Sequence, residues 1–211
     1  MPANWHVKID GRFLLVSKMK VFEEIPSNIS YNPGMETETY RFETALDVTI
    51  FTQPASSPSA KWFDWLEFDQ SPGIFHLPVS DHMGIRAKGF TDPEIKQLTD
   101  DLESVTSLRY LHLAENRGIT NRGIRHLERL PQLAYLNLSS CDISSEGLAF
   151  LPALRNLTHL DLSYCNRLTA NAAKYIQKLP ALKFLDLQGV LKINTGSVKK
   201  FERRGLEIYR G

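Results

Sequence analysis

The chain has 211 residues, 42% hydrophobic and 23% charged, which suffices for one large or two small packed domains and excludes general disorder. Its net charge of +1 supplies no global field towards nucleic acid or an anionic membrane. Two cysteines, Cys141 and Cys165, are too few for a disulfide scaffold.

The charge is unevenly placed. Residues 1–83 hold 6 Lys+Arg against 11 Asp+Glu, and residues 84–211 hold 19 against 13, which predicts two differently built halves. The opening MPANWHVKIDGRFLLV contains an apolar run of only four residues, Phe13 to Val16, whereas a secretory signal needs about 7–15. No stretch approaches the roughly 20 apolar residues that span a bilayer. The expectation is a cytoplasmic protein with reduced thiols and no membrane contact, in which the sequon at Asn28 plays no part.

The first half reads as β-rich. Asp10-Gly11 between two apolar runs signals a hairpin. Tyr40–Gln53, Lys61–Asp69 and Gly73–Val79 are further strand candidates, separated by loops at residues 26–39 and 54–60. Trp62, Phe63, Trp65 and Phe68 predict a packed element here. The half is expected to be either a small β domain or a cap over the apolar end of the second half.

The second half is a repeat. LRYLHLAEN begins at Leu108, LAYLNLSSC at Leu133, LTHLDLSYC at Leu157 and LKFLDLQGV at Leu182, with a last fragment, LEIYRG, at Leu206; the steps are 25, 24, 25 and 24 residues. A degenerate first copy offers Ile85 and Ala87 as strand positions. Thr91 to Glu94 then reads as a capping box with proline in the first turn, and Ile95, Leu98, Leu102 and Val105 mark one helical face. Later helices are expected from Ile124, Leu127 and Leu130, from Leu148, Leu151 and Leu154, and from Ala173, Ile176 and Leu179. Pro131, Pro152 and Pro180 keep them short. Leu206 and Ile208 suggest a closing strand, with Arg203, Arg204 and Arg210 keeping its edge soluble.

Each full copy fits L-x-x-L-x-L-x-x-(N/C), except for Val190 at the ninth place. The pattern resembles the leucine-rich repeat family, in its cysteine-containing and ribonuclease-inhibitor-like forms. That resemblance implies an α/β fold over residues 82–211: a right-handed solenoid with a parallel concave sheet and convex helices, preceded by the β-rich cap or domain over residues 1–81. It also turns the ninth residue inward, so Asn116, Cys141, Cys165 and Val190 are expected to form a buried column of structural side chains.

The same register places alternate side chains on the concave face. One row is Tyr110, Tyr135, His159 and Phe184. The next is His112, Asn137, Asp161 and Asp186, and beyond it lie Ala114, Ser139, Ser163 and Gln188. An aromatic row beside a polar and acidic one resembles a binding surface, although aromatic residues also suit strands for their own sake. A hydrolase built from Asp161, His159 and Ser163 is disfavoured, because residues i and i+2 of a strand point in parallel and no nucleophile elbow is present. A metal site at His76, Asp81 and His82 is weaker than the reading of solvated loop side chains. The basic residues of Lys199–Arg204, with Arg122, Arg125, Arg129, Lys174 and Lys178, are interleaved with Glu128, Glu146 and Glu202, so nucleic acid ranks below a protein partner.

The expected function is non-enzymatic recognition, without a cofactor, of a protein partner carrying a basic patch; the partner meets the first two rows on the concave face. Two competing readings give the repeats a target-selecting role, beside an N-terminal effector or enzyme domain or in a ubiquitin-ligase adaptor. The helical F-box such an adaptor carries is not evident, since the first half reads as strands.

Overall fold

The computed structural model describes residues 5–9, 12–16, 38–56 and 65–211. The chain divides into two compact units, Met1–Glu38 and Thr39–Gly211. In the first, β1 (Trp5–Ile9) and β2 (Arg12–Val16) pair antiparallel with Ile9 opposite Arg12; Asp10-Gly11, where the sequence signals the turn, lie outside the described residues. Trp62 and Phe63, and most of the two long loops, lie outside the described residues.

The second unit is organised by an eight-stranded sheet. Its strands are β4 (Val48–Pro54), β5 (Leu66–Gln70), β7 (Asp81–Ala87), β8 (Leu108–His112), β9 (Tyr135–Asn137), β10 (His159–Asp161), β11 (Phe184–Asp186) and β12 (Glu207–Tyr209). Their order is β12-β11-β10-β9-β8-β7-β4-β5. From β7 to β12 the pairing is parallel, while β4 joins β7 and β5 antiparallel. A separate antiparallel pair, β3 (Thr39–Thr44) and β6 (Gly73–Pro78), packs against α1 (Asp92–Leu102). The Thr44 hydroxyl donates to Asp101 of that helix at 2.7 Å.

The sheet therefore crosses the expected boundary at 81/82 without a break. Ile50 and Ile85, on either side of it, face each other across β4 and β7. Phe42, Val48, Ile50, Phe75 and Leu77 belong to the same buried cluster as Leu111, Leu136, Leu160 and Leu185. The physical reason is that β7 is the degenerate first repeat strand: Ile85 pairs with Leu111 as the spacing predicts, and its other edge is completed by β4.

α1 is the one long helix among the described residues, and its entry follows the capping-box signal, with Glu94 accepting the Thr91 N–H at 2.9 Å. Later return segments are short, as the prolines lead one to expect, but largely 3₁₀ rather than α-helical. They are α2 (Asn121–His126) and a 3₁₀ turn over Leu127–Arg129, an all-3₁₀ stretch Ser145–Ala153, a 3₁₀ turn Ala170–Ala172 leading into α3 (Ala173–Ile176), and α4 (Thr195–Val198). The predicted apolar triplets are buried regardless. Their spacing of three suits a 3₁₀ turn, in which side chains i and i+3 eclipse.

Two ladders tie successive repeats together. The inner column is one. The Asn116 amide donates to the Ala87 and Leu113 carbonyls at 2.9 Å each and accepts the Phe90 N–H at 2.8 Å. The thiols of Cys141 and Cys165 donate to Leu113 at 3.2 Å and to Leu138 at 3.1 Å. Each reaches the carbonyl one repeat back, so a thiol does with one bond part of what asparagine does with four. Burial pushes both thiols up to about 12, keeping them neutral. The second ladder lies at the helix starts. Asp92 accepts the Thr120 N–H at 2.7 Å, the Thr120 hydroxyl at 2.6 Å and the Gly123 N–H at 3.0 Å. One repeat later Asn121 accepts from the Ser144 N–H at 2.9 Å, and then Ser145 from the Thr169 N–H at 3.0 Å. These bonds satisfy donors that helix N-termini leave without partners.

Arg203 and Arg210 do not guard the β12 edge. Arg203 donates to the carbonyls of Gln177, Leu179 and Leu182, and Arg210 to that of Ile193. The turns that flank the short return segments expose carbonyls that a guanidinium fork can gather.

Candidate interaction face on the parallel sheet

Each strand places leucines or isoleucines at its core positions and leaves alternate residues on the open face. Register turns these into two rows. The first runs Gly84, Tyr110, Tyr135, His159, Phe184 and Glu207; the second runs Arg86, His112, Asn137, Asp161, Asp186 and Tyr209. All eight residues expected on the face are thus brought together.

The rings of the aromatic row are in contact in sequence, edge-on or tilted at first and stacked only for His159–Phe184. Ring centroids are 6.0 Å apart for Tyr110–Tyr135, 5.0 Å for Tyr135–His159 and 5.8 Å for His159–Phe184. Sequence reasoning missed its first member. Trp65 lies across Gly84, where a Cβ would stand 3.0 Å from the indole, and its ring is 5.7 Å from Tyr110 and 6.5 Å from Tyr135. Gly84 is the signal, because it alone in the row has no side chain and leaves the slot that Trp65 fills. Phe51, Trp65 and Tyr110 are buried together, so Tyr110 is the covered end of the row. Tyr135, His159 and Phe184 are half-buried and form its open part.

The polar row is wired to the backbone. The Oδ1 atoms of Asn137, Asp161 and Asp186 accept the N–H two residues on, from Ser139, Ser163 and Gln188, at 2.9, 2.9 and 2.8 Å. This is the local bond that Asn and Asp make where a strand turns. The Asn137 amide donates to Asp161 Oδ2 at 2.9 Å. Asp186 has its carboxyl raised by burial, with the Asp161 charge adding to the effect. Burial lowers His112 and His159 below the ordinary imidazole value. Between the rows lies a hollow of about 230 Å³ lined by Tyr110, Tyr135, Asn137, His159, Asp161 and Phe184.

His159, Asp161 and Ser163 are not connected as a triad. His159 Nδ1 lies 2.9 Å from the Thr158 hydroxyl, and Asp161 is held by Ser163's backbone and by Asn137. Among the described residues no group of three or more His, Cys, Asp or Glu is placed to hold a metal, and no helix is long and apolar enough to cross a membrane.

The family description "Leucine Rich repeat" matches residues 106–127, 131–151 and 153–176. Residues 106–176 are leucine-rich repeats. The solved structure "Crystal structure of Rad7 and Elc1 complex in yeast" is similar at 23% identity and a TM-score of 0.46, over 56% of this chain and 29% of that one. The chain thus spans under a third of that protein's length. No curated protein matches. The repeats share a turn that the sequence pattern conceals: the eighth place is left-handed in all four copies, with φ of 66° at Glu115, 58° at Ser140, 57° at Tyr164 and 67° at Gly189. This turn brings the chain off the strand and points the ninth residue into the core.

Proposed function

We propose that this is a non-enzymatic recognition protein that binds a protein partner on the open face of a short repeat solenoid. The observation that carries the reading is the joining of an accessible aromatic row to a polar row across one hollow. Tyr135, His159 and Phe184 supply rigid amphipathic area of the kind that dominates interface energetics. The backbone bonds of Asn137, Asp161 and Asp186 hold the polar groups in place before binding, which lowers the ordering cost.

In this reading residues 39–81 cap the first repeat: Trp65 closes the face at that end, and Phe42, Phe75 and Leu77 cover its apolar end. Repeat arrays need such a cover. An N-terminal effector domain finds less support, because these residues share the repeats' sheet and core. Nucleic acid on the opposite side also finds less support. There Arg129 is engaged by Asp100 and Glu103, Arg203 by backbone carbonyls, and Lys174 lies over Tyr175 at 4.6 Å. The proposed location is cytoplasmic.

Photocrosslinking tests the face. A benzophenone amino acid at position 135 is expected to capture a partner from native lysate that the same group at position 122 does not. Equal capture from both positions, or capture from 122 alone, overturns the reading.

A further inference from the structure

The polar row changes sign along its length. Arg86 stands at the β7 end, with Lys88 just beyond the strand; His112 and Asn137 come next, and Asp161 and Asp186 stand on β10 and β11. Glu207, opposite Phe184 on β12, extends the negative end. At about 4.8 Å per strand, Arg86 lies roughly 14 Å from Asp161 and 19 Å from Asp186. The ends differ in access as well. Beside Arg86 the floor is closed by Phe51, whose ring lies 5.3 Å from the guanidinium carbon, and by Trp65. Beside the two aspartates lies the open part of the aromatic row.

Asp161 and Asp186 face each other on neighbouring parallel strands, an arrangement in which like charges repel. Asp161 commits one oxygen to Ser163 and the other to Asn137. Asp186 commits Oδ1 to Gln188, and its Oδ2 carries no bond among the described residues. We propose that the face takes an extended segment of the partner protein laid across the strands, with a Lys or Arg side chain running over Tyr135, His159 and Phe184 and ending at Asp186 and Asp161, and with an acidic residue towards Arg86.

This deepens the reading of the face as an interaction surface and rests on it. The chemistry matches at each point. Aromatic faces attract a cation and accept its apolar stem, and a guanidinium or ammonium head both satisfies Asp186 and screens its repulsion from Asp161. An extended segment rises about 3.3 Å per residue, so roughly four to six residues separate its basic and acidic ends. The dipolar row fixes which end of the segment lies on which strand. A phosphate backbone meets two carboxylates at the open end and is repelled there.

A random dodecapeptide library displayed on phage and selected against the full chain tests this, followed by affinity measurements on the selected peptides as synthetic ligands. The expected peptides carry Lys or Arg four to six residues from Asp or Glu. Their affinity falls about tenfold or more on the Asp161→Asn/Asp186→Asn double variant, and equally when the peptide's basic residue is changed to Gln, a change that leaves the protein untouched. Peptides that lose affinity on Tyr135→Ala but bind the double Asn variant as tightly as the parent overturn the cation proposal and leave the face as the interaction surface. Peptides indifferent to both changes overturn the face as well. Failure to enrich any peptide, or enrichment of peptides lacking a basic residue, also counts against the proposal.

Discussion

The ring of Tyr164 lies across Gly189, so that a Cβ on Gly189 would fall 2.4 Å from its Cδ1. The two residues occupy the same left-handed place in adjacent repeats. One repeat's large side chain therefore dictates that the next has none. Gly189→Ala suffers both the contact and the positive φ of 67°, and a loss of about 2–3 kcal/mol is expected in urea unfolding. Tyr164→Ala in the same chain should recover the steric part, leaving about 1–2 kcal/mol of backbone cost. If the double variant is as unstable as Gly189→Ala alone, the contact contributes nothing.

The cysteine column predicts silence towards thiol reagents. The two thiols are buried, kept neutral and bonded to carbonyls, so labelling at pH 7 should report neither until the chain is denatured, because the thiolate is the reactive form. Cys165→Ser keeps a donor near the Leu138 carbonyl, whereas Cys165→Ala removes it. The alanine variant is expected to lose about 1–2 kcal/mol, and the serine variant less. The opposite ranking in urea midpoints would show that the cost of burying a hydroxyl outweighs the bond it can make in the column.

Asp92 carries the start of the next repeat's helix. Three bonds converge on it, from the Thr120 N–H and hydroxyl and the Gly123 N–H. Asp92→Ala leaves two backbone donors without their acceptor, and a loss of about 2 kcal/mol or more is expected. Asn keeps one acceptor oxygen, so Asp92→Asn should lose less. Hydrogen exchange should place the loosened amides at 120–126; exchange faster only within α1 would contradict the assignment.

The paired aspartates should respond unequally. Asp186→Asn keeps the oxygen that accepts the Gln188 N–H and removes the repulsion from Asp161, so thermal stability should hold or rise slightly. Asp161→Asn sets a new amide against the donating amide of Asn137 and should lower stability by about 0.5–1 kcal/mol. Equal effects in the two variants would mean that the Asn137–Asp161 bond has no weight.

Acid should weaken the fold through its histidines before its carboxylates. Burial lowers His82, His112 and His159 in the native state from the ordinary imidazole value of 6.5. Below that pH the unfolded chain binds more protons than the folded one. Stability is then fully present above about pH 6.5 and falls as the pH drops below it. His112→Gln should flatten this part of the profile in urea titrations between pH 7.5 and 5. A profile as steep as the parent's would assign the protons elsewhere.

Much of this fold is legible in the linear chain because a repeat restates its rule. Four copies of one pattern specify which leucines face the core, and the same register predicts both rows of the face. The copies also contain exceptions that only neighbours explain. Gly84 breaks the aromatic row, and the sequence places Trp65 nineteen residues earlier with nothing to link the two; pairing of β5 with β4, and of β4 with β7, brings the indole over the glycine. The left-handed residues are hidden for a similar reason, since only Gly189 among them advertises a positive φ, while the turn imposes it on Glu115, Ser140 and Tyr164.

The sequence by itself determined the periodic part: the parallel strands, the buried apolar triplets and the inward column of Asn116, Cys141, Cys165 and Val190. These arise from local spacing, which repeats every 24 or 25 residues. Only the tertiary structure decided what lies against the first repeat strand, because residues 39–81 carry no repeat pattern and join the sheet through the edge of β7. It also decided which face residues stay open. Access depends on what a distant segment lays over them, so Tyr110 is covered by Trp65 and Phe184 is not.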